Sequence, residues 1–296
     1  MEKYIGLDIG GTNIRVGMLD ENDELVYQDK YENQYGNDIK SLMSKIITSI
    51  ENIDGYDDAS SIGLSVAGSV DILGNKVITS KNVSALINYP IKDVLNKIFN
   101  KPIYMENDAK VAAYGEALQG FGKKYKTVCY ITISTGLGGG LVIDKQIYRG
   151  ANNFGSYIPR IYLDGYNTAD NLLSSRVLLQ QAQEKISNNI DSTKDLFDLY
   201  AEGNPKAVEI IESFKHYLTI LLLNISATFN PDVIILGGGV VKSKDLFLKD
   251  VLTEYYQMVH PLAKYTIVTT QSLEEPGLIG ACLLGKNNYV NKKTSR

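Results

Sequence analysis

The sequence predicts an α/β protein built from two related domains, and three observations carry that expectation. The chain has 296 residues, enough for two domains or one large one. Short apolar strand patterns alternate with stretches of helical spacing, the arrangement of an α/β fold. A strand–glycine turn–strand unit occurs at residues 4–19 and again at residues 127–143. That separation is too long for a solenoid and points to an internal duplication.

The elements follow in order. Residues 4–9 alternate as a strand, a glycine turn follows, and residues 14–19 return as a second strand. Asp20-Glu21-Asn22-Asp23 closes this hairpin with a polar turn. Ile39, Leu42, Met43, Ile46, Ile47 and Ile50 recur at helical spacing over residues 39–53. Residues 61–66 read as a buried strand leading into the turn Ala67-Gly68-Ser69. A helix is expected over 91–99 and a strand over 102–105, after which Asn107-Asp108 caps a helix over 109–118. The second copy has a strand at 127–133, a glycine turn from Ser134 to Gly140, and the return Leu141-Val142-Ile143. Its polar turn, Asp144-Lys145-Gln146, matches Asp20 to Asn22. A long helix over 205–227 comes next, then a strand at 233–236 that runs into Gly237-Gly238-Gly239. Gly277-Leu278-Ile279-Gly280-Ala281 reads as a closing helix.

Composition excludes several classes. The formal charge of -4 and the lack of a long basic run argue against nucleic acid as a partner. The longest apolar stretch, around Leu218 to Leu223, is broken by Asn224 and is too short for a membrane span. No basic segment followed by an apolar core precedes the first strand, so no signal peptide is expected and a cytoplasmic location is. Cys129 and Cys282 each sit among apolar residues and read as two buried free thiols. The two histidines, His216 and His260, have no cysteine near them, so a tetrahedral zinc site is not expected.

The glycine turns carry the chemistry. Polyphosphate needs backbone N–H groups aimed at it, and residues without a Cβ let the backbone approach closely. Asp8-Ile9-Gly10-Gly11-Thr12 and Thr135-Gly136-Leu137-Gly138-Gly139 both have this composition at the end of an apolar strand. The hydroxyls of Thr12 and Thr135 add donors, and Asp8 is a candidate to hold magnesium through water. The third cluster, with Gly238 and Gly239, offers bare backbone to a flat nucleoside. Each cluster alone also reads as plain turn chemistry; three together favour a nucleotide. No Walker-type glycine–lysine–serine turn is present, which removes the P-loop reading. Transfer to a hydroxyl also needs a carboxylate to take the proton. Asp108, between a strand end and a helix start, is the best candidate, although Asn107 and Asp108 also suit simple helix capping.

From residue 4 to about residue 284 the sequence resembles the ROK family of sugar kinases and sugar-responsive repressors. Gly6-Leu7-Asp8-Ile9-Gly10-Gly11-Thr12 is similar to its first phosphate loop, with Asn13 where lysine is common. Glu106-Asn107-Asp108-Ala109 resembles its catalytic segment, and residues 131–140 its second phosphate loop. The resemblance implies two ribonuclease-H-like, actin-like ATPase domains with a nucleotide and sugar cleft between them. The expected division is residues 1–112 plus 278–296 against 113–277. It further implies ATP and magnesium as cofactors, a small sugar as partner, and a homodimer. Asp108 would be the base, with Asn107, Gly68 and Asn82 contacting sugar hydroxyls.

The resemblance breaks down in one segment. After Arg149-Gly150-Ala151-Asn152 the family usually has a sugar-binding glutamate and then a histidine that binds both sugar and zinc. Tyr157 stands at the glutamate position and Arg160 at the histidine position, and the three-cysteine zinc loop that should follow is absent. Asp170 approximates the family's last carboxylate, ahead of Asn171-Leu172-Leu173-Ser174. Arg160 is expected either to fill the vacated region, paired with Asp170 or Asp164, or to recognise an anionic group on the substrate. The function implied is ATP-dependent phosphorylation of a hexose or N-acylhexosamine at a primary hydroxyl. The alternatives are a sugar sensor without catalysis and a degenerate kinase that binds nucleotide only.

Overall fold

The structure is a computed structural model that describes residues 2–294. Its first strands are β1 (Lys3–Ile9), β2 (Asn13–Leu19) and β3 (Leu25–Glu32), followed by helix α1 (Ile39–Glu51). Next come β4 (Ala59–Val66), β5 (Ser69–Val70), β6 (Val77–Thr79), α2 (Ile91–Phe99), β7 (Ile103–Asn107) and α3 (Asp108–Leu118). The middle of the chain holds β8 (Thr127–Ile133), β9 (Leu137–Ile143), β10 (Gln146–Ile147), α4 (Ala169–Leu173), α5 (Ser175–Lys185) and α6 (Thr193–Ala201). The remainder is α7 (Pro205–Phe229), β11 (Val233–Gly237), α8 (Leu248–Met258), β12 (Ile267–Thr270) and α9 (Pro276–Thr294).

The chain forms two compact units. The first comprises Met1–Lys123, Lys145–Ser156 and Ser272–Arg296; the second comprises Lys124–Asp144 and Tyr157–Gln271. A division at residues 112 and 277 would cut α3 and α9, which these units keep whole.

In the first unit the sheet order is β3-β2-β1-β4-β7. β1 and β4 pair in parallel with Ile5 opposite Ile62 and Leu7 opposite Leu64. Both strands are buried along most of their length, so they read as apolar runs with little alternation. α9 lies against β1 and β4 at van der Waals distance from their backbones. A Cβ built on Gly63 would fall 1.8 Å from the Ala281 carbonyl oxygen, so only glycine permits the contact. α3 packs on the same helix, and seven of its residues from Ala109 to Ala117 are Ala, Val, Gly or Tyr. The β1–β2 hairpin extends into β3, an edge strand whose exposed residues gave little apolar signal.

In the second unit the strands run β9-β8-β11-β12, the same order and directions as β2-β1-β4-β7. The expected duplication is therefore a duplication of topology. Phe197, Phe214 and Phe247 stack edge to face and tilted in its core, to which the 25-residue helix α7 contributes a buried face from Ala207 to Ser226. One expectation is corrected here. Gly138, Gly139 and Gly140 belong to β9 and pair with β8, leaving a turn of only Ser134 to Gly136. Gly139 serves packing: a Cβ there would sit 2.4 Å from the Ile158 side chain.

Asp144 and Lys145 both have positive φ, 49° and 60°, as a two-residue turn of the I′ type requires. Cys129 and Cys282 are buried free thiols, and burial pushes both up to about 12, which leaves them unreactive.

Candidate active site

In the first unit the site is built around two carboxylates. Asp8 is the last residue but one of β1, and sheet register places Arg15 of β2 and Ser65 of β4 directly beside it. Ser65 Oγ donates to Asp8 at 2.7 Å and an Arg15 guanidinium nitrogen lies 3.2 Å away. Arg15 also pairs with Glu275 at 2.6 Å. Burial nevertheless raises the Asp8 pKa, against the pull of Ser65 and Arg15.

The turn after β1 is pinned from two sides. Gly10 N–H donates to the Asn13 carbonyl at 2.9 Å, and Asn33 donates through Nδ2 to the Gly10 carbonyl and through its backbone to the Thr12 carbonyl. Thr12 itself is exposed. A Cβ on Gly11 would lie 2.6 Å from Cβ of Asn82, so the absence of a side chain lets Asn82 close on the turn.

Asp108 opens α3, and Asn107 caps that helix by accepting from Lys110 N–H at 3.2 Å. Asn107 Nδ2 donates to the Gly68 carbonyl at 2.9 Å and to Asp108 Oδ1 at 2.8 Å. Asp108 Oδ1 also accepts from Ala109 N–H at 2.9 Å. Burial, with the Asp8 carboxylate as the next contribution, pushes Asp108 up to about 7. Capping and a perturbed carboxylate thus occur together, the first at Asn107 and the second at Asp108. Asp8, Gly10, Gly11, Thr12, Gly68, Asn82, Asn107 and Asp108 all lie in this unit.

The second unit gathers the other glycine turns. Ser134, which the sequence pattern did not single out, joins them: its Oγ accepts from Gly239 N–H at 3.1 Å and its carbonyl accepts from Ser175 N–H at the start of α5. Asp170 Oδ1 accepts from Leu137 N–H at 2.8 Å, against Gly136, while Asp170 Oδ2 lies 3.3 Å from Arg176. Gly238 has φ +92° and no room for a Cβ, which would meet the Ile133 carbonyl oxygen at 2.5 Å. Thr135 is exposed at the tip.

Tyr157 and Arg160 flank a short 3-10 turn, in which Arg160 N–H donates to the Tyr157 carbonyl. The expected burial of Arg160 against Asp170 or Asp164 is not found. Arg160 is exposed, Asp170 pairs with Arg176, and Asp164 accepts from Tyr166, from Asn167 N–H and from Asn167 Nδ2. Residues 161–169 fold back as a small hairpin with Tyr162 opposite Thr168, so the region after Arg160 is closed by its own backbone. Among the described residues no group of three or more His, Cys, Asp or Glu side chains is placed to hold a metal ion. Also among them, no helix is long and apolar enough to cross a membrane.

Comparison with known proteins places these features in a family. The model of the ROK family matches residues 4–288. An N-acetylmannosamine kinase of Vibrio vulnificus is 31% identical over 248 residues, covering 80% of this chain and 83% of that protein. A xylose repressor of Bacillus spizizenii is 27% identical over 270 residues, covering 87% of this chain and 69% of that one. The crystal structure of a ROK hexokinase from Thermus thermophilus superposes with a TM-score of 0.84 at 25% identity, over 98% of this chain and 99% of that one.

Proposed function

The chain belongs to the ROK family, and from that premise we propose that it is an ATP-dependent kinase acting on a primary hydroxyl of a hexose or an N-acylhexosamine. One observation carries the reading: Asp108 is a half-buried carboxylate pushed up to about 7, at the junction of β7 and α3. A general base works best when its pKa lies near the working pH. Relatives named N-acetylmannosamine kinase and glucokinase support a sugar as acceptor.

The residues divide the work as follows. Asp108 takes the proton from the sugar hydroxyl as that oxygen forms its bond to the γ-phosphorus and the bond to the β-phosphate oxygen breaks. Asn107, fixed by Gly68 and by Asp108 itself, orients the sugar together with Asn82. The turn at Gly10, Gly11 and Thr12 offers backbone donors to phosphate, as do Thr135 and Gly136. Gly239, where a Cβ would meet nothing within 4 Å, leaves bare backbone for the nucleoside, on the positive-φ turn that Gly238 makes against Ile133. Asp8, already neutralised in part by Arg15, suits magnesium held through water, because magnesium is commonly bound by one or two carboxylates plus substrate phosphates. When bound, that ion neutralises charge on the transferring phosphoryl group. Tyr157 replaces a charged sugar acceptor with one hydroxyl and a ring face, which favours acceptors that stack over those that need a carboxylate.

A coupled ADP-release assay across hexoses, N-acetylhexosamines and sugar acids tests the reading. Sugar-dependent ADP release with a neutral hexose or N-acylhexosamine is expected. ATP binding without sugar-dependent release from any of them would overturn it and leave a sensor, the role that the name of the xylose repressor relative indicates for that protein.

A further inference from the structure

Beside Asp108 lies a buried charged cluster that the proposed chemistry does not use. Glu106 is the last residue but one of β7, next to Asn107, and is 1% exposed. Its Oε1 accepts from Asn107 N–H at 2.9 Å and from Asn153 Nδ2 at 3.0 Å, and its Oε2 accepts from Arg149 Nε at 2.7 Å. Lys110, in the first turn of α3, is 2% exposed. Its ammonium donates to the Asn153 carbonyl at 2.8 Å and to Asn153 Oδ1 at 2.9 Å. Burial pulls the Lys110 pKa down, while the Glu106 charge acts against that shift. Asn153 also donates to the Val70 carbonyl and sits at φ +63°.

A scaffold needs none of this. Burying an ammonium and a carboxylate costs several kcal/mol per ion before any pairing, and apolar side chains of similar volume often stabilise a fold better. The arrangement gains something else: one carboxylate holds both the backbone of Asn107 and the loop at residues 149–153. Lys110 then fastens the same loop to the helix that Asp108 opens. Both ends of the clamp act on residues adjoining the base.

We propose that Glu106, Lys110 and Asn153 are positioning residues that lock the 149–153 loop to the Asn107-Asp108 segment, so that the sugar hydroxyl meets the base in a fixed geometry. The inference rests on the kinase reading given above. Misplacement of a reacting group by about 1 Å can cost roughly a hundredfold in rate, so loosening this clamp acts on the sugar and spares the nucleotide.

Asn153→Gly is the sharpest probe, since glycine accepts the positive φ and only the side-chain bonds are lost. Lys110→Met removes the ammonium and keeps the apolar stem. Each is assayed with glucose and with N-acetylmannosamine, below its melting transition. Each should lower kcat/KM for the sugar roughly tenfold or more while KM for ATP stays within about twofold. The double variant should be no worse than the worse single one, because both residues act through one cluster. Lower melting temperatures with unchanged sugar kinetics would mean a structural role only and overturn the inference. If Lys110→Met does not fold, Asn153→Gly decides the matter alone. Asp108→Asn, run in parallel, separates the two layers. An inactive Asp108→Asn beside wild-type kinetics in Asn153→Gly removes the clamp and leaves the base. A fully active Asp108→Asn, or turnover of neither sugar by the wild-type chain, removes the parent reading and this one with it.

Discussion

The two strand–turn–strand units share a topology and differ in chemistry. In β1–β2 the turn is served by a half-buried carboxylate, Asp8, held by Ser65 and Arg15 from neighbouring strands. In β8–β9 the register position of Asp8 is taken by Thr132, the turn itself carries hydroxyls, Ser134 and Thr135, and the carboxylate comes from Asp170 on α4. Three acidic groups, Asp8, Glu106 and Asp108, are concentrated in the first unit at strand ends. The second unit offers backbone N–H groups and glycines. Duplication thus preserved the strand order, because the parallel core strands need the same packing, and left the turns free to specialise. On the function proposed above, the first unit would supply the carboxylates and one phosphate turn, and the second the remaining donors to the nucleotide.

Breaking the first unit should have the largest effect. Asp108→Asn should lower turnover roughly 10²–10⁴-fold, the usual contribution of a general base. Nucleotide affinity, measured by calorimetry, should barely change, because Asp108 is assigned to the sugar hydroxyl and to no phosphate.

The second unit should respond in the opposite sense. Ser134→Ala removes the hydroxyl that accepts from Gly239 N–H and loosens both glycine turns. A lost hydrogen bond of about 1 kcal/mol corresponds to KM for ATP rising roughly fivefold. The turnover number at saturating ATP should remain close to wild type. A fall in turnover with unchanged KM would erase the proposed division of labour.

A smaller effect concerns stability. The folded Asp108 pKa, about 7, lies above the ordinary value of 3.8. Below about pH 4 the group is protonated in both states and contributes nothing. Between about 4 and 7 the unfolded chain releases the proton while the folded chain keeps it, so stability falls as pH rises. Above about 7 the full penalty of a buried charge is present. Asp108→Asn should therefore melt a few degrees higher than wild type at pH 8 and show a smaller difference at pH 5. Differential scanning calorimetry at the two pH values checks this.

What the sequence revealed and what it hid follow from the range of the interactions. β1, β4, β8 and β11 were legible because strands buried on both faces are written as apolar runs. β3 was not, since an edge strand with five exposed residues resembles a loop. Asp8 and Asp108 stand beside local signals, a glycine turn and a helix cap, and were readable for that reason. Ser65, Ser134 and Asn153 act on residues 57, 105 and 47 positions away, and no local pattern announces such partners. The run Gly138–Gly140 misleads by composition: it lies in a strand, and Gly139 makes room for Ile158. One of the two readings of Arg160 has it fill the vacated region, paired with Asp170 or Asp164. The hairpin at residues 161–169 closes on itself and leaves the guanidinium exposed.

The pH dependence of turnover, at saturating ATP and sugar, tests the central claim that Asp108 is the base. The group must be deprotonated to accept the hydroxyl proton, so the turnover number should rise with pH through about 7 and level off above it. In Asp108→Asn the residual turnover should lack that rise. A wild-type profile that is flat through this range, or one whose rise survives in Asp108→Asn, would contradict the assignment.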